Sequence, residues 1–561
     1  MNLSSDLKSI QQARDLVETA SKAQHLFKEA TQEQVDRIVK AMAEAGEAHA
    51  ERLARLAVDD TKMGRYEDKV LKNLFGSRTV YDYIKNMKTV GIISKSPDGK
   101  VWEIAEPMGV VAALIPTTNP TSTAIYKAII AVKSRNGIVM APHPRAVKCT
   151  AEAAKVMADA AEKAGAPKGL INCITEVSLD GTEEMMKHKL TNVILATGSS
   201  QMVRAAQSTG KPAYGVGSGN VPSYIDRSAN VDKAVRDIIT GCSFDNGNLC
   251  SSERSIIVDA PIKNQVLDAL KKYKAAFLNS EDVKKLEKTV VPGGKLNTET
   301  VGQLATKIAQ MSGVSVSSDT RVLVAEIKSV GKQDPLSMET LSPILSLFTV
   351  NGWEEGCQRC MEILNFGGIG HTMSLHANDE KIITEFALKK PAMRILVNTV
   401  ASLGAVGFTT GLPPAMTLGC GTWGGSITAD NITPLHLLNK KHVAFETKEF
   451  KANWMSENSA ETKPSGKSRT LDYKPKTYQS QHAEKSVSLE LSSAKKHEPT
   501  KSWMDEIDAR IREKAGNPVV HTPAVQTAPK PEAKQQKEEV KSTILPLSED
   551  AITKLIHKFS K

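Results

Sequence analysis

Along residues 5–85 the apolar positions recur at helical spacing with charges between them. EQVDRIVKAMAEAGEAHAERLARLAV is the clearest stretch, and it predicts amphipathic helices. From about residue 100 the texture changes. GVVAALIP, NGIVMAP, TNVILAT and ERSIIVDA are short apolar runs that predict buried strands. They alternate with helical stretches such as KCTAEAAKVMADAAEKAG, and further strands (SPILSLFTV, RILVN) and helices follow to about 450. Strand–helix alternation over hundreds of residues predicts an α/β fold with mostly parallel sheets.

After residue 450 the pattern dissolves. Residues 451–541 have few apolar positions, are dominated by Lys, Ser, Gln and Glu, and read as a disordered linker that cannot bury enough surface to offset chain entropy. Two short segments depart from this. Ser502–Ala515 places Trp503, Ile507 and Ile511 four residues apart, predicting a short helix at 502–515. Ser548–Lys561 places Ile552, Leu555, Ile556 and Phe559 at i, i+3, i+4 and i+7, with Ser548 as N-cap and Glu549 and Asp550 in the first turn. A helix this short is marginal alone. Its stripe reads either as a docking face that folds on a partner or as a tail packing back on the body.

Composition adds exclusions. With 40% hydrophobic and 24% charged residues the chain is of globular type, and no run approaches the ~20 apolar residues of a membrane span. A net charge of +10 raises the question of an anionic partner. However, residues 451–561 hold 20 basic and 15 acidic side chains, so the last fifth of the sequence carries half of the excess. The body is close to balanced, and neither nucleic acid nor membrane is expected as a partner. The seven Cys are odd in number and scattered, and no secretory signal opens the sequence, which suits free thiols in a reducing cytosol. Cys357-x-x-Cys360 lacks a second ligand pair and lies in a helical run, so a structural pair is expected and no metal.

Four stretches carry candidate chemistry. Cys250 follows a Gly/Asn-rich loop, SFDNGNLC, and precedes a strand. A thiolate there could add to a carbonyl carbon, or the residue could be an inert loop cysteine. Asn119 sits in IPTTNPTST, a polar turn after an apolar strand, where a side-chain amide could stabilise an oxyanion or serve turn formation alone. LATGSS places a small polar turn between a strand and a helix, a geometry that accepts phosphate. Glu339, in ETLSP before another strand, could hold ribose hydroxyls or be a solvated edge charge. A fifth stretch, YGVGSGNVP, does not match GxGxxG and is weak as a dinucleotide fingerprint.

Together with EQVDRIVKAMAEAG, YEDKVLKNLFGS, MAPHPRA, GGIGHT and TTGLPPAMTLGCGTWGGS, these stretches have the order and spacing of the aldehyde dehydrogenase superfamily across roughly residues 15–447. The sequence resembles the CoA-acylating branch, which includes enzymes of bacterial microcompartments and the N-terminal half of bifunctional aldehyde/alcohol dehydrogenases. The resemblance implies a Rossmann-type cofactor domain, an α/β catalytic domain and an oligomerisation element, followed by the disordered C-terminal tail. It implies Cys250 as nucleophile, with Asn119 and the Cys250 N–H as oxyanion hole. Thr197, Gly198 and Ser199 would form the dinucleotide-phosphate turn, and Glu339 would hold the nicotinamide ribose. Pro142, His143 and Arg145 would meet the adenosine end, and Thr117, Thr118, Gly217 and Ser218 would complete the cofactor site. His371 in GGIGHT is expected to be structural.

One departure from the hydrolytic branch is informative. GVGSGNVP has no carboxylate where hydrolytic relatives carry the glutamate that activates water, so the acyl-enzyme would be left for a thiol. The expected activity is oxidation of a small aldehyde, propionaldehyde or acetaldehyde, with NAD+ and CoA in ping-pong fashion. A hydrolytic aldehyde dehydrogenase and a non-catalytic scaffold are the alternatives. The expected organisation is residues 1–240 for the helices and the NAD/CoA-binding domain, 241–429 for the catalytic domain, and 430–450 for the return and oligomerisation strand. After these come the 451–541 linker and a 542–561 helix resembling a microcompartment encapsulation peptide. A homo-oligomer (dimer or tetramer), shell proteins as partners and a bacterial cytoplasmic, microcompartment location follow from the same resemblance. The residues after 450 are too few for an iron-dependent alcohol dehydrogenase half, which favours the microcompartment form.

Overall fold

The computed structural model describes residues 5–450. The expectations for 451–541, 502–515 and 542–561 lie outside the described residues. The opening segment is helical as its periodicity requires: α1 (Ser5–Phe27), α2 (Gln32–Ala48), α3 (Ala50–Thr61), α4 (Tyr66–Leu74) and, after a single π turn at Phe75–Thr79, α5 (Val80–Ile84). Thr31 starts α2 with a capping box, its hydroxyl accepting the Gln34 N–H while the Gln34 side chain accepts the Thr31 N–H. Val35, Ile38, Val39, Met42 and Ala43 then form the buried stripe.

A hairpin of β1 (Gly91–Lys95) and β2 (Val101–Pro107) leads into the first parallel sheet. Its strands are β3 (Val110–Ile115), β4 (Gly137–Pro142), β5 (Ile171–Cys173), β6 (Thr191–Thr197) and β7 (Ala213–Val216), in spatial order β5-β4-β3-β6-β7. α6 (Pro120–Lys133), α7 (Val147–Lys163), α8 (Leu179–Lys187) and α9 (Ser200–Gln207) supply the crossovers. Every residue of β3 and β4 is buried, which explains their unbroken apolar runs: helices cover both faces of a parallel sheet.

A second, seven-stranded parallel sheet contains β8 (Val221–Ile225), β9 (Glu253–Asp259), β10 (Ala275–Phe277), β11 (Val322–Glu326), β12 (Ile344–Val350), β13 (Gly370–His376) and β14 (Ala392–Val397). Their order is β10-β11-β12-β9-β8-β13-β14. α10 (Val231–Ser243) joins β8 to the loop that carries Cys250. Finally β15 (Leu438–Ala444) pairs antiparallel with β2 and completes a three-stranded sheet.

The domain limits differ from those expected. The change of sheet falls at Gly217–Asn220, between β7 and β8, and not at 240/241. VPSYI is buried throughout and pairs in parallel with both β9 and β13, so it cannot belong to the first sheet. The return also begins well before 430. After β14, Ala401, Ala405, Met416, Leu418, Ile432 and Leu437 enter the same core as the α6 residues Ile125 and Ile129. Polar contacts fix this return: the Tyr126 hydroxyl donates to Ile432 O (2.5 Å) and Asn136 Nδ2 to Leu437 O (2.9 Å).

Candidate active site

In the first sheet the chain runs outward in one direction through β3, β4 and β5, then returns to β6 on the other side of β3. Ligands of open parallel sheets bind outside the carboxyl ends of the strands at such a reversal. Most of the expected cofactor residues stand on this edge. Thr117, Thr118 and Asn119 follow β3, Pro142 ends β4 with His143 and Arg145 beyond it, and Thr197 ends β6 ahead of Gly198 and Ser199. Gly217 and Ser218 follow β7.

Ser199 caps α9, its hydroxyl accepting the Met202 N–H at 3.3 Å, and the Ser200 hydroxyl accepts the Ser218 N–H at 3.5 Å. The space around Gly198 is open, since a Cβ there would meet nothing nearer than Met202 at 3.8 Å. A capped helix N-terminus beside an open glycine turn fits a dinucleotide phosphate. His143 Nδ1 accepts the Arg145 N–H (3.1 Å), and burial followed by Arg145 lowers its pKa. Arg145 itself pairs with Glu299 (2.8 Å) beside a depression of about 280 Å³ that also includes Asp60, Lys62 and Gln303. His143 and Arg145 thus stand together with Glu299 in an outer cluster.

The nucleophile loop is built differently. Between α10 and Cys250, Asp245 (φ 48°), Asn246 (φ 55°) and Gly247 (φ 72°) are three successive left-handed residues, a costly conformation for the first two. Buried polar contacts hold them. Asp245 Oδ1 accepts the Arg65 N–H (2.7 Å), and Oδ2 accepts from Lys69 Nζ (3.1 Å) and from the Lys72 ammonium. The Asp245 N–H donates to Asp68 (2.8 Å). Arg254 clamps the far end by donating to Gly247 O (2.5 Å), Leu249 O (3.2 Å) and Ser342 O (2.9 Å).

Lys72 also reaches the other half of the site, donating to Asn119 Oδ1 at 2.5 Å, while Asn119 Nδ2 donates to Thr118 Oγ1 at 3.0 Å. Burial first, and then Lys69, pulls the Lys72 ammonium down to about 8 against the attraction of Asp245. Burial and then Asp245 push the Asp68 carboxyl up to about 6. Burial alone would raise Asp245 as well, but Lys69 and Lys72 hold it below the ordinary carboxylate value.

Gly217–Gly219 gathers the remaining groups. A Cβ on Gly219 would lie 1.9 Å from the Cys250 carbonyl oxygen and 3.5 Å from His371 Cε1, so only glycine allows the approach. The Gly219 N–H donates to Glu339 Oε1 at 3.0 Å. Burial raises Glu339 to about 7 against Arg254, that N–H and the Ser218 hydroxyl. Burial, then Glu339 and Cys420, push the Cys250 thiol up to about 12, and Arg394 opposes them.

His371 Nδ1 lies 3.0 Å from Thr372 Oγ1, whereas its Nε2 has no hydrogen-bond partner among the described residues. Burial and then Arg394 depress it to about 3, so the ring is neutral. Arg394 donates to Gly419 O (2.6 Å) and Ala429 O (3.0 Å), which ties the returning segment and Cys420 to the pocket. His371, for which a structural role was expected, therefore sits beside the nucleophile's backbone. Lys69, Lys72, Asp245, Arg394 and Cys420 were not anticipated at all. The signal for the lysines was the YEDKVLKNLFGS stretch, which belonged to the family resemblance without a role for either lysine.

Cys357 and Cys360 are buried together on the helix Trp353–Phe366, where the Lys390 ammonium contacts Cys357 Sγ. Among the described residues no group of three His, Cys, Asp or Glu is placed to hold a metal ion.

Comparison with known proteins locates this arrangement. The model of the "Aldehyde dehydrogenase family" matches residues 5–311. The bifunctional aldehyde-alcohol dehydrogenase of Escherichia coli K12 is 41% identical over 434 residues, 76% of this chain and 49% of that protein. The chain thus spans about half the length of the first curated relatives it matches. An acetylating aldehyde dehydrogenase from Geobacillus thermoglucosidasius superposes with a TM-score of 0.79 at 51% identity, covering 80% of this chain and 99% of that one. A Rhodopseudomonas palustris propionaldehyde dehydrogenase, solved with bound CoA and an acylated cysteine, gives 0.70 at 27% identity over 77% and 97%.

Proposed function

The chain belongs to the aldehyde dehydrogenase family, and we propose that it is an NAD-dependent, CoA-acylating member that converts a short-chain aldehyde to its acyl-CoA. The observation that carries this reading is the meeting of Cys250, Glu339 and His371 around the backbone of Gly219. A nucleophile, a carboxylate and a neutral proton acceptor converge there at the edge of a dinucleotide-type sheet.

His371 Nε2, which has no hydrogen-bond partner among the described residues, is proposed to take the Cys250 thiol proton as the sulfur adds to the aldehyde carbon. Asn119 Nδ2 and the Cys250 N–H hold the developing oxyanion. The nicotinamide, when bound, supplies the acceptor for the substrate's hydride. Thr197, Gly198 and Ser199 would hold its phosphates, and Glu339 its ribose. The thioester left on Cys250 is passed to the CoA thiol, because Gly217–Asn220 offers no carboxylate of its own to activate water.

Propionaldehyde and acetaldehyde are the substrates proposed. The three-stranded sheet, whose edge strand β15 is exposed at Asn439–His442, supports assembly into a homo-oligomer. The amphipathic pattern of Ser548–Lys561 supports delivery to a bacterial microcompartment shell in the cytoplasm, testable by whether deletion of 542–561 stops co-purification with shells.

The activity is tested by NADH formation from propionaldehyde or acetaldehyde with NAD+, with and without CoA. The proposal expects sustained turnover only with CoA. Equal rates in both arms would replace it with the hydrolytic reading.

A further inference from the structure

We infer that Lys72 is a positioning residue of the oxyanion hole: it selects which edge of the Asn119 amide faces the substrate and ties that amide to the nucleophile loop. The inference rests on the functional reading above. The two edges of a side-chain amide are nearly equal in size, so packing alone does not distinguish them. Only one edge can donate to an oxyanion. An ammonium is a donor without acceptor capacity, so it must face the oxygen. Lys72 Nζ lies 2.5 Å from Asn119 Oδ1, which leaves Nδ2 as the opposite, donating edge beside Thr118 Oγ1.

The same ammonium contacts the Asp245 carboxylate, five positions ahead of the nucleophile in a left-handed stretch. The oxyanion hole has two halves, the Asn119 amide after β3 and the Cys250 N–H after α10. One cation on α4 touches the structure supporting both. Its neighbour Lys69 donates to Asp245 and to Thr118 O, both at 3.1 Å, but not to the Asn119 side chain. The groups facing Lys72 are Asp245, Lys69, Asp68 and Asn119. A buried ion cluster is a weak source of stability compared with apolar packing, whereas an oriented dipole at a developing charge is a strong source of rate.

The two lysines allow a clean separation. Lys69→Met and Lys72→Met each remove one cation from Asp245, but only the second frees the Asn119 amide. Lys72→Met is expected to lower kcat for NADH formation about 10²-fold with little change in the aldehyde KM. Lys69→Met should cost less than about a tenth of that. In an Asn119→Ala background Lys72→Met should add less than about threefold, because the amide it orients is gone. Lys72→Arg should restore most of the rate and remove the alkaline fall expected in the native enzyme near pH 8, since arginine stays charged.

If Lys72→Met fails to fold, the charge-balanced Lys72→Met/Asp245→Asn variant replaces it in the same cycle. Losses that simply add in the Asn119→Ala background, or equal losses from the two lysines, would overturn the inference. A crystal structure of the variant at atomic resolution, where amide nitrogen and oxygen are told apart, decides the point independently of turnover. An Asn119 amide with unchanged orientation would overturn the inference even if the aldehyde reading failed. A native enzyme that made no NADH would instead sink that reading.

Discussion

The two sides of the site are made by different means. On the cofactor side, each element is local: a strand ends, a small polar turn follows and a helix begins, as in β6, Thr197-Gly198-Ser199 and α9. Several of its hydrogen bonds are short-range, such as Ser199 to Met202, although Thr197 Oγ1 also meets Thr417 Oγ1 from 220 residues away. On the nucleophile side the Arg254 clamp on Gly247 and Leu249 is local, but the decisive ionic contacts come from afar. Asp245 meets Lys72 from 173 residues away, Glu339 meets Gly219 from 120 away, and Arg394 on β14 holds the returning segment through Gly419 O. That side is buried, ionic and shifted in its proton affinities, with Cys250 at about 12, Glu339 at about 7 and His371 at about 3. The difference teaches that seating a cofactor phosphate needs little more than strand ends and free N–H groups. Holding a reactive thiol needs a preorganised, desolvated pocket assembled from many segments.

Substitutions on the two sides should therefore differ in kind as well as in size. Cys250→Ala should abolish NADH formation, by about 10⁴-fold or more, while leaving NAD+ affinity near native by calorimetry. Loss of cofactor binding would mean that the sides are not separable. His371→Ala should reduce kcat by about 10²- to 10³-fold, as removal of a proton acceptor does, with the aldehyde KM little altered in steady-state assays. A native rate would return His371 to a structural role.

The thiol itself can be titrated. Burial holds Cys250 protonated at neutral pH, so raising the pH increases the thiolate fraction. Its alkylation by iodoacetamide, followed by peptide mass spectrometry without cofactor, should accelerate about tenfold per pH unit from 7 to 9 with no plateau. A plateau near pH 7 would show that Arg394 outweighs burial. The smallest effect belongs to the cofactor side. Ser199→Ala removes one cap and should cost about 1 kcal/mol of stability, read as a lowered melting temperature, with a several-fold rise in KM for NAD+ and unchanged kcat. A kcat loss matching that of His371→Ala would erase the distinction.

The same contrast explains what could be read from residue order alone. The unbroken run of β3, the turn after it and the Asn-Gly loop before Cys250 are local patterns, and each is where it was expected. VPSYI was not separated from the first sheet, because its proline and short length hide a strand paired on both sides. Lys69 and Lys72 carried no expected role, since the carboxylate that meets them belongs to a distant loop. His371 looked structural for the same reason. Nothing near it in the chain announces that Gly219 brings the Cys250 backbone alongside.

The central intermediate of the proposed reaction is a thioester that waits for CoA. The most direct measurement mixes the enzyme with propionaldehyde and NAD+ in the absence of CoA, then examines the Cys250 peptide by mass spectrometry before and after CoA is added. The account predicts one acyl group on Cys250, formed with one equivalent of NADH and discharged as acyl-CoA when the thiol arrives. An unmodified Cys250 with continuous release of free carboxylate would contradict it.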